Sequence, residues 1–399
     1  MPRTGASELS THDIGFVGAG QLARMAGEAT SALGLSMAVL AQRPDDAACA
    51  VAAEVVIGSP FVEADLRALC ERCDVVTFDH EQVDLDIVAG LTAEGYVLRP
   101  GTSTLEFAVD KAHMRSVLDS AGVPVPAYAI VDNGPDAPDA VSRFAGEHGW
   151  PLMLKAARGG YDGKGVWPVA DAAEAAEVLA HVEGRVVVEE LLPLDAELAV
   201  MVARRPSGSS SAWPAVETAQ VGGVCREVLV PGRLPGEVVE AATGLGQKVA
   251  EIVGAVGVMA IELFWSGGRI LVNEVATRPH NSGHWTIEGA VASQFENHVR
   301  AVLDLPLGST APQHPQIASV NVFGGDDAAD PSALLARGLA VEGAHVHLYG
   351  KDPRPGRKLG HVTVCGDDAE LVRARAWTAA RALGTPVPPG LSVPSEAAS

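Results

Sequence analysis

Cysteine is scarce in this 399-residue chain, at five residues. That is no disulfide framework, and the odd count argues for reduced thiols. Cys70-Glu71-Arg72-Cys73 has CxxC spacing, but no second ligand pair stands at a zinc-site distance. Its flanks read as a helix running into a strand, so two structural thiols are the plainer reading. Positive charge is also scarce: 29 Lys and Arg against 50 Asp and Glu give a net charge of −21. A surface that acidic argues against general binding to nucleic acid or an anionic membrane. Long apolar runs are missing, because the longest, Ile252 to Ile261, carries two glycines and is too short to span a bilayer. Residues Met1 to Glu8 lack a hydrophobic signal core and read as a short disordered leader on a cytoplasmic protein.

What is present is ordinary globular composition, 47% apolar and 20% charged, long enough for about two or three domains. Over the first hundred residues strand patterns (Ile14 to Val17, Ser36 to Leu40, Glu54 to Ile57, Val75 to Phe78) alternate with helix patterns. This predicts a parallel, doubly wound α/β sheet. Arg99-Pro100-Gly101 punctuates the chain and puts a boundary near residue 105. A helix from Asp110 to Ser120 follows, then strands at Trp150 to Ala156, Val186 to Glu189, Glu197 to Ala203 and Cys225 to Val230. A further pair is predicted at Val258 to Phe264 and Arg269 to Val275. These are hairpin-rich, so the middle of the chain reads as α+β. Pro306 to Pro315 reads as a linker to a small closing module.

Gly15-x-x-Gly18-x-Gly20-Gln21-Leu22-Ala23 joins a strand to a helix, the setting in which a helix N-terminus meets an anion. A dinucleotide, another phosphate and a purely structural turn all remain open, although the second strand ends without an acid to hold ribose hydroxyls. The segment from Lys155 to Gly165 carries four glycines and two lysines after a strand. Such a loop can close over a triphosphate, or be a plain surface hairpin. Glu262 and Glu274 lie symmetrically about Gly268, so in a symmetric hairpin they pair directly, with Cβ atoms roughly 4.5–5.5 Å apart. Carboxylates that close call for a cation, and oxygen ligands suit magnesium; a solvated edge pair is the alternative. Arg278-Pro279-His280-Asn281-Ser282-Gly283-His284-Trp285-Thr286 follows and reads as an anion or acid/base site. Lys351 and Arg354-Pro355-Gly356-Arg357-Lys358 form the dense basic cluster near the C-terminus, fit for a substrate phosphate or an interface counter-charge.

Three of these pieces, in this order and spacing, carry a resemblance. They are Gly159-Gly160-Tyr161-Asp162-Gly163-Lys164-Gly165, then Asn273-Glu274 with Arg278 to His284, then Arg354-Pro355-Gly356-Arg357-Lys358-Leu359-Gly360-His361. From Ile14-Gly15 to about His361-Val362 the chain resembles the N5-carboxyaminoimidazole ribonucleotide synthase family of ATP-grasp enzymes. The resemblance implies an ATP-grasp fold in three parts: a pre-ATP-grasp α/β domain over 1–105, a lid region with the glycine-rich loop over 106–200, and a C-terminal α+β body with a closing module over 201–399.

It implies ATP and magnesium, with manganese able to substitute. It also implies a homodimer whose product passes to a downstream mutase, without nucleic-acid or membrane partners. Lys111 and Lys155 would contact ATP phosphates under the loop Gly160, Tyr161, Asp162, Gly163, Lys164, Gly165 and Val166. Glu189, Glu190, Leu191 and Leu192 would line the adenine and hinge, Glu197 the ribose, and Glu217 the nucleotide site. Glu262, Asn273 and Glu274 would hold metal and triphosphate, the two glutamates as metal ligands. Gly20, Gln21 and Leu22, with Glu81, move to the aminoimidazole ribonucleotide site. Arg278, His280, Asn281 and Ser282 would face bicarbonate and ribonucleotide, with Lys351, Arg357 and Lys358 on its phosphate. Arg278 would stabilise anions, and His280 or Asp162 would handle the proton.

The implied reaction phosphorylates bicarbonate to carboxyphosphate and transfers its carboxyl group to the ribonucleotide amine. The chain departs from the family pattern at two places. Asp79-His80-Glu81 stands where Glu-Phe-Glu is usual, and Thr218 where Asn follows the nucleotide-site glutamate. The alternative within the superfamily is a formate-dependent glycinamide ribonucleotide formyltransferase. A nicotinamide-dependent dehydrogenase and a catalytically silent nucleotide-binding subunit are the readings from other classes.

Overall fold

Four short apolar segments, β1 (His12–Val17), β2 (Met37–Ala41), β3 (Glu54–Ile57) and β4 (Cys73–Phe78), form an all-parallel sheet in the order β3-β2-β1-β4. The computed structural model describes residues 11–160 and 164–394. Helices pack on this sheet, as its near-continuous apolar strands require. Gln21–Ala32 buries Leu22, Met25 and Ala26 against one face, and Glu63–Cys70 buries Leu66 and Leu69 against the other. Cys70 and Cys73 are buried free thiols whose pKa burial pushes up to about 12. At that pKa neither is a reactive thiolate, in keeping with structural thiols.

A second, antiparallel sheet is built from β5 (Tyr128–Asp132), β6 (Leu152–Ala156), β7 (Val166–Val169) and β8 (Arg185–Glu190), in the order β5-β8-β6-β7. The third holds β9 (Ala196–Arg204), β10 (Ser210–Ala212), β11 (Val216–Val221), β12 (Val224–Val230), β13 (Gly257–Ser266), β14 (Arg269–Ala276), β15 (Gln316–Phe323), β16 (Ala344–Leu348) and β17 (Lys358–Gly366). Its order is β14-β13-β9-β11-β12-β15-β17-β16, with β10 beside β9. One face packs Leu198, Val200, Ile261 and Leu263 against the helix Gly236–Val253. The other gathers Ala199, Met201, Trp213 and Trp285.

The segment beyond residue 315, read from the sequence as a small closing module, is joined to the central sheet. β15 pairs with β12 along Glu227 to Val230 and with β17 along its whole length. The last strands therefore extend the central sheet, because β12 would otherwise leave an open row of backbone hydrogen-bonding groups. Helix Ala369–Ala382 covers them through Val372, Ala376 and Trp377. It is locked to β12 by Glu227, 1% exposed, which accepts from Arg373 Nε (2.8 Å), Arg373 Nη2 (2.9 Å) and Trp377 Nε1 (2.8 Å). Among the described residues no helix is long and apolar enough to cross a membrane.

Removing one partner of a buried pair strands a charge, at a cost of about 3–5 kcal/mol. Arg373→Met is therefore expected to lose about that much stability in urea unfolding. Arg67→Met, whose partners Glu63 and Glu94 are exposed, should lose no more than about 1 kcal/mol. Equal losses would refute the lock.

Candidate active site

The site is built around the β13–β14 hairpin. Gly267 and Gly268 both have positive φ (56° and 76°) and form its two-residue turn, of the kind that suits strand twist. That turn is half a residue out of phase with the symmetric hairpin expected from numbering. Ser266 pairs with Arg269 and Leu263 with Val272, yet Glu262 still faces Glu274. A one-residue bulge at Asn273 makes up the difference. Bulges re-aim side chains beside active sites, and here Asn273 Oδ1 accepts from Lys155 Nζ at 2.9 Å while Glu274 Oε1 accepts from Lys111 Nζ at 2.6 Å.

Each lysine is placed by its own element. Lys111 opens the helix Lys111–Ser120, capped by the Asp110 carboxylate, which accepts from His113 N (3.0 Å). Asp110 also binds Arg158 Nε (2.9 Å) and Arg185 Nη2 (2.8 Å), tying this cap to the start of the glycine-rich segment. Lys155, on β6, donates to Glu189 Oε2 at 2.7 Å. Glu189 in turn accepts from Arg115 Nε at 2.6 Å. Burial works against ionisation of Glu189, but Arg115 and Lys155 hold its pKa down at about 2. Burial lowers Lys155, with Glu189 opposing.

Two cavities meet at the carboxylate pair. One, of about 530 Å³, is lined by Lys155, Val166, Glu189, Glu190, Leu191, Leu192, Glu197 and Asn273, with Met153 and Phe264 as apolar walls. The other, of about 1010 Å³, is lined by Glu81, Lys111, Gly160, Arg278 and His280. Glu262 and Glu274 belong to both. Burial, then the charges of Glu274 and Glu197, push the Glu262 carboxyl up to about 7. Burial, then Arg278 and Lys358, pull His280 down to about 3. His280 is therefore a neutral imidazole, its Nε2 3.5 Å from Glu262 Oε1. Arg278 Nε donates to Glu81 Oε2 at 2.8 Å, and Thr277 N to Glu81 Oε1 at 3.2 Å.

Several expected site residues lie elsewhere. Glu217 pairs in register with Leu198, whereas Thr218 pairs with Glu197. Residues opposite one another share a sheet face, so Glu217 points away from the cavities and its carboxylate takes the Arg233 backbone N (2.8 Å) and guanidinium. Thr218, the departure from the family pattern, is the residue on the Glu197 face, its hydroxyl buried without a partner. Gly20 donates to Asp79 Oδ2 (2.5 Å) and Ala23 to Asp79 Oδ1 (3.0 Å). The first helix thus receives its anion from within the protein. A Cβ at Gly20 would fall 2.4 Å from that oxygen, and one at Gly18 2.8 Å from His80.

Gln21 Oε1 accepts from Lys351 Nζ at 2.5 Å, joining two of the expected substrate residues, while Leu22 buries its side chain in the first domain. Ser282 is buried, its Oγ 2.8 Å from His280 Nδ1, and Asn281 Oδ1 is buried without a partner. Arg357 donates to the Asp352 carbonyl at 3.0 Å, and Lys358 lies over Phe323. None of Gly20, Gln21, Asn281, Ser282, Lys351, Arg357 and Lys358 lines either cavity. Lys164 and Gly165 close the neck of the loop against Gly160. Tyr161, Asp162 and Gly163 lie outside the described residues. Neither Arg115 nor the contact of Asp79 with the first helix was expected. An arginine within a helical pattern carries no sign of its partner, but an acid directly after β4 could have been paired with the glycine turn.

Among the described residues no group of three or more His, Cys, Asp or Glu is arranged to hold a metal. Two carboxylates and the Asn273 amide, oxygen donors beside two lysines, fit magnesium, which takes few protein ligands when it also binds phosphates.

Glu262 holds its proton more tightly folded than unfolded. Its cost to stability is absent near pH 4.5, grows as pH rises towards about 7, and persists above. Without divalent cations, Glu262→Gln is expected to match the unsubstituted protein in Tm near pH 4.5 and exceed it by several degrees near pH 8. A lower Tm for the variant at about pH 8 would contradict this environment for Glu262.

Three family models match successive segments: a ribonucleotide synthetase preATP-grasp domain (11–109), an ATP-grasp domain (116–295) and a phosphoribosylaminoimidazole carboxylase C-terminal domain (318–375). The N5-carboxyaminoimidazole ribonucleotide synthase of Mycobacterium tuberculosis is 44% identical over 381 residues, covering 92% of this chain and 86% of its own. The corresponding crystal structure from Thermus thermophilus has a TM-score of 0.83 at 37% identity, covering 92% of this chain and 98% of its own. The enzyme from Aspergillus clavatus, in complex with ADP and 5-aminoimidazole ribonucleotide, has a TM-score of 0.85 at 28% identity, with 94% and 99% covered. With its parallel N-terminal sheet, two-cavity site and end-to-end similarity, this chain belongs to the N5-carboxyaminoimidazole ribonucleotide synthase family of ATP-grasp enzymes.

Proposed function

We propose that this chain is an ATP-dependent carbon–nitrogen ligase that carboxylates 5-aminoimidazole ribonucleotide with bicarbonate, releasing ADP and phosphate, in purine biosynthesis. The observation that carries the reading is the carboxylate pair at the junction of two cavities, with Lys155 on the nucleotide side and Lys111, Arg278 and His280 on the other. The smaller cavity suits a nucleotide: Met153, Phe264, Leu191 and Leu192 offer apolar walls to a base, Lys155 offers an ammonium group to phosphates, and Lys111 offers another from the larger cavity, beside the shared Glu274.

Bicarbonate is a poor electrophile, so one of its oxygens attacks the γ-phosphoryl group, giving carboxyphosphate and ADP. Magnesium, held by Glu262 and Glu274 with Asn273 beside them, would offset triphosphate charge and the charge developing on the transferred group. Lys111 and Glu274 already pair, so a cation and a triphosphate entering together find partners of opposite sign that can exchange. Arg278 supplies a fixed positive charge for the carboxylate, oriented by Glu81. His280, being neutral, acts as a hydrogen-bond donor and not as an imidazolium acid. The amine then attacks the carboxyl carbon, phosphate leaves, and the amine proton is lost to a base for which Asp162 stays a candidate. The glycine-rich segment from Gly160 to Val166 would close over the phosphates and exclude water.

Lys351 beside Gln21 supports a phosphate site for the ribonucleotide near the first helix, together with Arg357 and Lys358. The three segments 1–105, 106–200 and 201–399 serve as the domains of this reading, with a homodimer in the cytoplasm and a downstream mutase as its setting.

The direct test is ADP release with ATP, magnesium and bicarbonate, with and without 5-aminoimidazole ribonucleotide; strong stimulation is expected. Stimulation by glycinamide ribonucleotide and formate instead would move the function to the formyltransferase. Glu274→Gln should lower turnover about a hundredfold or more while the fold persists. Near-normal turnover in that variant would remove the magnesium assignment.

A further inference from the structure

Gln294, fully buried at the start of helix Gln294–Val302, holds the loop that carries His280. Its Oε1 accepts from the His280 backbone N at 2.9 Å, and its Nε2 donates to the His280 carbonyl at 2.7 Å. The side-chain amide thus pairs with both polar groups of one residue, as a neighbouring strand would. An N–H can only donate and a carbonyl can only accept, so this pairing fixes which end of the amide is oxygen. The second Nε2 hydrogen then faces His284 Nδ1, 3.1 Å away. That nitrogen must accept, which leaves the His284 proton on Nε2.

The same residue is clamped from behind. Its backbone N donates to Thr286 Oγ1 (2.9 Å), whose hydroxyl donates to the Gly283 carbonyl (2.6 Å). Gly283 is glycine because the amide packs against it: a Cβ there would lie 2.4 Å from Gln294 Oε1 and 2.6 Å from Cδ. On the other side of the loop, Ser282 N donates to His280 Nδ1 at 3.5 Å, with Ser282 Oγ 2.8 Å away. His280 Nε2 then lies 3.5 Å from Glu262 Oε1. With both its peptide groups and its ring nitrogen engaged, His280 has one orientation available.

We infer that Gln294 is a positioning residue for the carboxylation site: its amide fixes the His280 backbone, and through it the ring whose Nε2 lies beside Glu262, and sets the tautomer of His284. Gln294 lines neither of the two cavities, and it reaches the larger one through His280, which does. The inference rests on the carboxylating reading for the step affected, though not for the geometry.

Gln294→Glu keeps the shape and removes the donor that meets the His280 carbonyl and His284. The expected result is a drop of about tenfold or more in kcat/KM for 5-aminoimidazole ribonucleotide and bicarbonate, with KM for ATP within about twofold of the unsubstituted enzyme. A uniform loss for all three substrates, or none, would overturn the role. Gln294→Met, which removes the amide altogether, serves if the Glu variant does not fold. Independently of activity, ¹⁵N-histidine labelling of the unsubstituted protein should show His284 with an unprotonated Nδ1. A protonated Nδ1 would overturn the tautomer assignment. If the unsubstituted enzyme releases no ADP in response to the ribonucleotide, the functional reading fails while the labelling result still decides the geometry.

Discussion

Two carboxylates facing each other across a sheet repel, and the residues around Glu262 and Glu274 are arranged in answer to that repulsion. Lys111 takes one oxygen of Glu274, and Lys155 takes Asn273, one residue away on the bulge. A buried lysine is itself costly, so Lys155 is paired with Glu189, and Glu189 with Arg115, whose guanidinium also donates to the Val272 carbonyl. The run of alternating charge begins in the helix Lys111–Ser120, crosses the four-stranded antiparallel sheet and ends on the hairpin. It ties three separate elements to one pair of oxygens. Glu262, buried beside Glu274 and Glu197 and facing neutral His280, is left with a raised pKa, and so is a place where added positive charge is favoured.

The N-terminal domain is joined to this centre through one short run of residues. Asp79 closes the end of the first helix while Glu81, two residues on, orients Arg278. A shift of β4 would therefore move the helix that carries Gln21 together with the arginine of the larger cavity. Gly20 and Gly18 are glycines because Asp79 and His80 come within contact distance of where their Cβ atoms would be.

Most strands were legible because burial on one or both faces leaves apolar runs of the right length, as in Val186 to Glu189 or Val258 to Phe264. The Glu262–Glu274 pairing was legible too, although the symmetric turn that suggested it is replaced by a shorter turn and a bulge. Those two shifts cancel at Glu274 and at no position nearer the turn. Glu217 was misread because strand periodicity gives alternation but not which phase faces the site. That depends on its pairing with Leu198, a contact set by the whole sheet. Gln294 and Arg115 were missed for a related reason: each is a single polar residue in a helical pattern whose partners lie on other elements. The basic cluster at Lys351 to Lys358 could be seen in the sequence, and its approach to Gln21, 330 positions away, could not.

The C-terminal strands share a continuous hydrogen-bonded sheet with the catalytic hairpin, and this restricts how such a protein can be reshuffled. A recombination point at Pro306 to Pro315 would look harmless in the sequence, being proline-rich and without regular structure. Splitting the gene there would expose β12 and β15 along their shared edge and separate Glu227 from Arg373 and Trp377. The closing segment and the hairpin that carries the two carboxylates are therefore one folding unit, and a cut between them would leave both pieces with a bare sheet edge.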